Sequence, residues 1–194
     1  DLPVTLRTPT GWDENTENSL QIARTAEQEG ISALAIHGRT RADRFMGQAE
    51  YDSIAAVKQT ISIPVLANGD ICTPEQARYV LDYTQADGLL IGRASRGQPW
   101  LFEEIHHYLT TGEHAAKKTA AEIKQILFEH LAKMHGFYGP VMGVRIARKH
   151  ISWYLEHLPN AKELRSVINQ IQNPTEQLDC LNAYFHRLDS KQVA

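Results

Sequence analysis

Two apolar runs in this chain each end in a glycine turn that carries a polar or cationic side chain. Ile63-Pro64-Val65-Leu66-Ala67 runs into Asn68-Gly69-Asp70-Ile71, and Gly88-Leu89-Leu90-Ile91 runs into Gly92-Arg93-Ala94. A glycine turn after a strand leaves backbone N–H groups approachable, because no side chain blocks an anion. The pair of loops therefore suits a phosphate; the plainer reading is that Gly69 and Gly92 only turn the chain. Arg7 and His37 end two earlier apolar runs. A histidine at a strand end can bond a cofactor oxygen or a phosphate, or only its own turn. Arg7 suits an anionic ligand equally well as it suits a plain surface. In the loop after His37, Arg39, Arg41 and Arg44 form a basic cluster that would meet nucleic-acid phosphates or stay solvated.

A second cationic group lies near the C-terminal end, in Arg145-Ile146-Ala147-Arg148-Lys149-His150-Ile151-Ser152-Trp153-Tyr154. On a helix, Arg145, Arg148, Lys149 and Ser152 share one stripe, and Ala147, Ile151, Tyr154, Leu155 and Leu158 share the opposite one. The spacing predicts a positive ridge on a packed helix, with Trp153 beside it to stack on a base or sugar. An ordinary solvated basic face has the same pattern. No Ser-His-Asp order, metal-ligand cluster or close carboxylate pair stands out. Cys72 and Cys180 match no zinc or redox spacing, read as structural, and fit a reducing cytoplasm.

Repeated strand-then-helix units must position the first group. Pro3–Leu6, Ile31–Ile36 and the two glycine-ended runs read as strands. Thr16–Glu29, Tyr51–Gln59, Pro74–Tyr83 and Trp100–Leu109 read as helices, the third opened by Thr73 and Pro74 as cap and first turn. Four β/α units are visible, half of a closed (β/α)8 TIM barrel. Phosphate loops after the seventh and eighth strands of such barrels would make these its second half. From about Thr110 to Thr119 the pattern changes. Beyond that link four helices are expected, at 120–137, 141–158, 162–171 and 174–188, broken by Gly139-Pro140, Pro159-Asn160 and Asn173-Pro174. The expected division is 1–112, α/β, and 113–194, an all-α helical bundle.

Composition agrees with a folded α/β chain: 194 residues, 42% apolar, net charge −3. The charge is uneven. Residues 1–112 carry 9 Lys and Arg against 15 Asp and Glu, a balance of −6, whereas residues 113–194 carry 11 against 8, a balance of +3. A phosphate-bearing partner is therefore sought in the C-terminal part. No apolar run is long enough to span a bilayer. The opening Asp1-Leu2-Pro3-Val4 reads as the middle of a protein.

Taken together, Thr10-Gly11-Trp12, His37-Gly38-Arg39-Thr40-Arg41, Ala67-Asn68-Gly69-Asp70-Ile71, Leu90-Ile91-Gly92-Arg93-Ala94, Pro99-Trp100 and Arg148–Tyr154 resemble the bacterial tRNA-dihydrouridine synthases, the B-type subgroup most closely. The resemblance implies an FMN-dependent barrel followed by a helical tRNA-binding domain. Such a protein uses NADPH to reduce FMN and then reduces the C5–C6 bond of uridines in tRNA. It implies Arg7, His37, Asn68, Gly69, Asp70, Gly92 and Arg93 as cofactor-binding residues. It implies Arg148, Lys149, His150 and Trp153 on a tRNA-facing helix, with His150 facing tRNA or supporting the core; the loop cluster and the helix stripe add Arg39, Arg41 and Arg145 as RNA-facing residues. Arg7-Thr8-Pro9 stands where the family has Lys-Ile-Arg, so Arg7 replaces a flavin-contacting lysine. The family's proton-donating cysteine belongs to the first half of the barrel, which implies no catalytic residue here and an inactive fragment. A monomer without metal is expected. The alternatives are a non-catalytic RNA-binding module on a half-barrel scaffold and a different phosphate-binding barrel enzyme.

Overall fold

The computed structural model describes residues 2–44, 46–159 and 161–192, with side chains to residue 188 at the C-terminal end. Strand and helix alternate through the first part: β1 (Thr5–Pro9), α1 (Ser19–Gln28), β2 (Ala33–His37), α2 (Asp52–Thr60), β3 (Val65–Asn68), α3 (Pro74–Thr84), β4 (Gly88–Leu90) and α4 (Leu101–Thr111), with a 3-10 turn at Arg93–Ser95 before α4. The strands form one parallel sheet in the order β1-β2-β3-β4. Register aligns Arg7 with Ala35, Leu66 and Gly88, and Pro9 with His37, Asn68 and Leu90.

Alternation along each strand then sorts the two faces. Leu34, Ile36, Val65 and Ala67 are buried against Ala23, Ile54, Val57, Ala77, Val80, Leu101 and Ile105 of the four helices. Each fully buried aliphatic side chain contributes about 1.5–3 kcal/mol. The opposite face carries Arg7, His37, Leu66 and Asn68, so the packing that builds the sheet also directs its polar residues to one side.

Helix ends follow local chemistry. Thr73 caps α3 by accepting from the Gln76 N–H at 3.2 Å, with Pro74 in the first turn. α1 starts three residues later than the apolar pattern predicts. The Asp13 carboxylate accepts from the Asn15 N–H (3.0 Å) and the Thr16 hydroxyl (2.8 Å), and this turn occupies the segment first.

The chain divides into two compact units, residues 1–95 with 100–115, and residues 96–99 with 116–194. The second is helical: α5 (Ala120–Leu155), α6 (Lys162–Ile168) and α7 (Pro174–Gln192). Thr119 opens α5 with a capping box closed by Glu122. α5 is a hairpin, not a rod. In a straight helix His130 and His150 would lie about 30 Å apart, yet their ring centres are 5.0 Å apart. The reversal falls at Gly139 (φ +75°) and Pro140, where the sequence predicts a break. Ile123, Leu127, Leu131 and Met134 on the first arm and Val144, Ala147, Ile151 and Tyr154 on the second are buried, as are Leu181, Tyr184 and Phe185 of α7. The second arm ends at Leu155; Glu156, His157 and Leu158 tighten into bonds three residues back.

Candidate functional site

At the C-terminal ends of the strands, Arg7 donates from Nη2 to Asn68 Oδ1 at 2.9 Å, and Asn68 Nδ2 donates to the Leu90 carbonyl. His37 Nδ1 lies 3.1 Å from the Asn68 carbonyl. A carbonyl only accepts, so Nδ1 carries the proton and Nε2 is the acceptor nitrogen of the neutral ring. Burial lowers the His37 pKa, and the nearby Arg39 and Arg7 charges lower it further, against the Asn68 bond and Asp70, which raise it. The balance favours the neutral ring. The side chains of Arg7, Trp12, His37, Thr40, Arg41 and Arg44 border a cleft of about 960 Å³, whose charged lining is cationic.

The turn after β3 is held from both sides. Gly69 has φ +140°, and a Cβ there would lie 2.6 Å from the Ala49 methyl, so only glycine fits. Asp70 also adopts a left-handed conformation, φ +44°. Its carboxylate accepts from Arg39 Nη2 (2.6 Å) and the Ala49 N–H (2.8 Å), and Arg93 Nη2 stands 3.7 Å from its other oxygen. Desolvation raises the Asp70 pKa, but the Arg39 and Ala49 bonds and the two guanidinium charges outweigh it and hold the carboxyl below its ordinary range.

Arg39 is thus not a rim cation. Its side chain is 3% exposed and also donates to the Met46 and Gly47 carbonyls, at 3.0 and 2.8 Å. The guanidinium that the sequence expects to face RNA is thus buried and held by Asp70 and two loop carbonyls. Arg41 and Arg44 are exposed at the cleft. Gly92 differs from Gly69. No atom lies within 4 Å of a Cβ built on it, and its φ is outside the left-handed range. Neither packing nor backbone conformation requires glycine at 92, so the open space there fits an approaching anion.

In the helical unit, the second arm of α5 separates the expected ridge into two kinds of cation. Arg145 and Lys149 are exposed. Arg148 is half-buried and donates from Nη2 to the Ile171 carbonyl at 2.6 Å, beyond the end of α6. The ridge residue that the sequence expects to face RNA is thus bonded within the helical unit. Trp153 does not present an open ring: Arg96 lies 4.9 Å and Lys149 5.2 Å from its centre, with the His150 edge at 5.0 Å. Arg96 and Gly97 were not legible as site residues. A Cβ on Gly97 would come within 2.3 Å of the Trp153 backbone, a contact made across more than fifty residues of sequence. Cys72 is exposed and Cys180 half-buried. Among the described residues no group of His, Cys, Asp and Glu could hold a metal, and no helix is long and apolar enough to cross a membrane.

Comparison with known proteins bears on the family of the chain. The chain is 57% identical over 185 residues to tRNA-dihydrouridine synthase B of Pseudomonas putida, covering 95% of this chain and 55% of that protein. It is 58% identical over 186 residues to tRNA-dihydrouridine synthase B of Escherichia coli K12, covering 95% and 58%. It therefore spans little more than half the length of these relatives. The family model for Dihydrouridine synthase (Dus) matches residues 1–189, and the chain belongs to that family.

Proposed function

We propose that this chain is the part of a tRNA-dihydrouridine synthase that holds the phosphate side of FMN and a face for tRNA. Its four β/α units would be the second half of a TIM barrel, residues 1–112, and residues 113–194 a helical tRNA-binding domain. The observation that carries this reading is the convergence of Arg7, His37 and Asn68 on one face of the parallel strands, beside the open backbone at Gly92. FMN bound there, reduced by NADPH, would supply the hydride chemistry that saturates the uridine C5–C6 bond.

This chain's residues would do the binding and orienting. Gly92 and the backbone entering the 3-10 turn at Arg93–Ser95 would receive the phosphate, with Arg93 as counter-charge. Asp70 would act by holding Arg93 and Arg39, not by touching an anion, since two negative groups repel. Asn68 fixes Arg7 and the His37 tautomer, so His37 Nε2 would accept a bond from a hydroxyl or N–H of the cofactor. Arg41, Arg44, Arg145 and Lys149 would meet tRNA phosphates. Neither cysteine lines the cleft, so the residues present here supply no thiol acid at it. On this reading these residues are inactive alone.

Reconstitution tests the reading. The chain would be co-expressed with the first barrel half of the E. coli relative and assayed for bound flavin and for the two-hydrogen mass gain in tRNA uridines. Flavin retention and dihydrouridine formation by the pair, with neither half sufficient, are expected. Failure of the pair to retain flavin, with both halves folded, would reject the half-barrel assignment. Retention of tRNA binding in that case would favour the RNA-binding module.

A further inference from the structure

The hairpin of α5 ends in an exposed aromatic tip. Phe137 is 83% exposed and Tyr138 48%, followed across the turn by Val141 at 58% and Met142 at 50%. The Phe137 and Tyr138 rings meet edge to face, centres 4.8 Å apart. Large apolar side chains side by side in water are a cost that a fold tolerates where a partner covers them. They are held on a defined support. Gly139 fixes the reversal with φ +75°, and close packing of Gly143 against the His135 backbone sets the arms together.

Charge indicates the partner. From His130 to Leu155 the hairpin carries Lys133, Arg145, Arg148 and Lys149, and no Asp or Glu. Lys133 lies one turn before Phe137 and Arg145 one turn after Val141, both exposed. α7 contributes Glu176 near this end, next to Gln177, which bonds His135 Nε2 at 3.0 Å. Rings flanked by cations, with the acids of α5, Glu122 and Glu129, two turns or more before Phe137, match unpaired nucleotides: bases stack on the rings while phosphates meet the cations. An acidic protein partner would satisfy the cations, but it does not need a pair of aromatic rings.

We propose that Phe137 and Tyr138 form a stacking site for unpaired bases of RNA, with Lys133 and Arg145 as its phosphate contacts. This rests on the reading that the helical unit binds tRNA. The site would engage a looped-out or loop nucleotide.

The test is tRNA affinity of the chain across a salt series for wild type, F137A, F137L, F137W, Y138A and K149A, with thermal melts alongside. F137A and F137L are expected to weaken binding about tenfold, equivalent to about 1.4 kcal/mol and within the range for one stacked base. Their salt slope should be unchanged, F137W should retain affinity, and K149A should lower the slope. Since Phe137 is so exposed, melting should hardly move; if F137A does not fold, F137L and F137W carry the comparison. Wild-type affinity in F137L would mean apolar docking and overturn the proposal. Unchanged affinity in F137A and Y138A, with loss in K149A, would overturn stacking and leave the RNA reading intact. A change in self-association without a change in RNA affinity would make the tip a contact between copies and overturn it as well. Absence of tRNA binding by the wild-type chain would reject the RNA reading, and stacking with it.

Discussion

Replacing Gly92 by valine separates ligand approach from folding more cleanly than any other change at the strand ends. No atom lies within 4 Å of the position its Cβ would take, its φ is outside the left-handed region, and the residue is exposed. Folding stability should therefore move by no more than about 0.5 kcal/mol, as for an ordinary surface substitution. Loss of glycine's flexibility in the unfolded chain even pulls slightly toward stability. If a phosphate approaches the backbone at residues 92–94, the branched side chain displaces it. Each charge-assisted hydrogen bond so lost costs about 1.5–3 kcal/mol, roughly a 10- to 150-fold loss of affinity. The assay is flavin fluorescence titration of the reconstituted protein with FMN and, in parallel, with riboflavin, which lacks the phosphate. G92V should weaken FMN by that factor, leave riboflavin unchanged and melt with the wild type. Equal weakening of both flavins, or a lowered melting temperature, would show that Gly92 serves the fold and that the phosphate lies elsewhere.

Three further outcomes follow from the geometry. D70N leaves Arg39 buried with a neutral partner and should cost about 1–3 kcal/mol in denaturant melts, below the roughly 3–5 kcal/mol of a fully buried pair because Asp70 is one-third exposed; a cost unchanged by salt would fit, and no cost would refute the pair's role. R148A should destabilise the helical unit by about 1–2 kcal/mol through the lost bond to Ile171, with little change in the salt slope of tRNA binding, whereas K149A should do the reverse; equal effects from the two would reject this division. Burial is the first cause that lowers the pKa of both His130 and His150. Their contribution to stability is thus complete above the unfolded value of 6.5 and is lost as pH falls through the lowered folded values. Melting temperature should fall between about pH 7 and pH 5, and H150Q should flatten that fall; an unchanged slope would exclude His150.

Whatever rests on local period was legible in the sequence, and whatever rests on a distant partner was not. The β/α alternation, the Thr73 cap and the break at Gly139-Pro140 each depend on residues a few positions apart. The pattern could also place His37 and Asn68 at strand ends, because strand length and alternation are local. The fate of a cation is different. Arg39 and Arg41 look alike in the chain, but Asp70, thirty-one residues on, draws one inward and leaves the other exposed. Arg148 and Lys149 are adjacent and part ways for the same reason, since only Arg148 meets the Ile171 carbonyl. His37-Gly38-Arg39 and Asn68-Gly69-Asp70, read separately, each look like a ligand loop. Register sets His37 beside Asn68, and Arg39 and Asp70, each two residues on, close on one another behind them. His37 is thereby left to the cleft and Asn68 to Arg7, and the third residues hold the loops that carry them. In these two neighbouring parallel strands, the cation of one motif is drawn off by the carboxylate of the other.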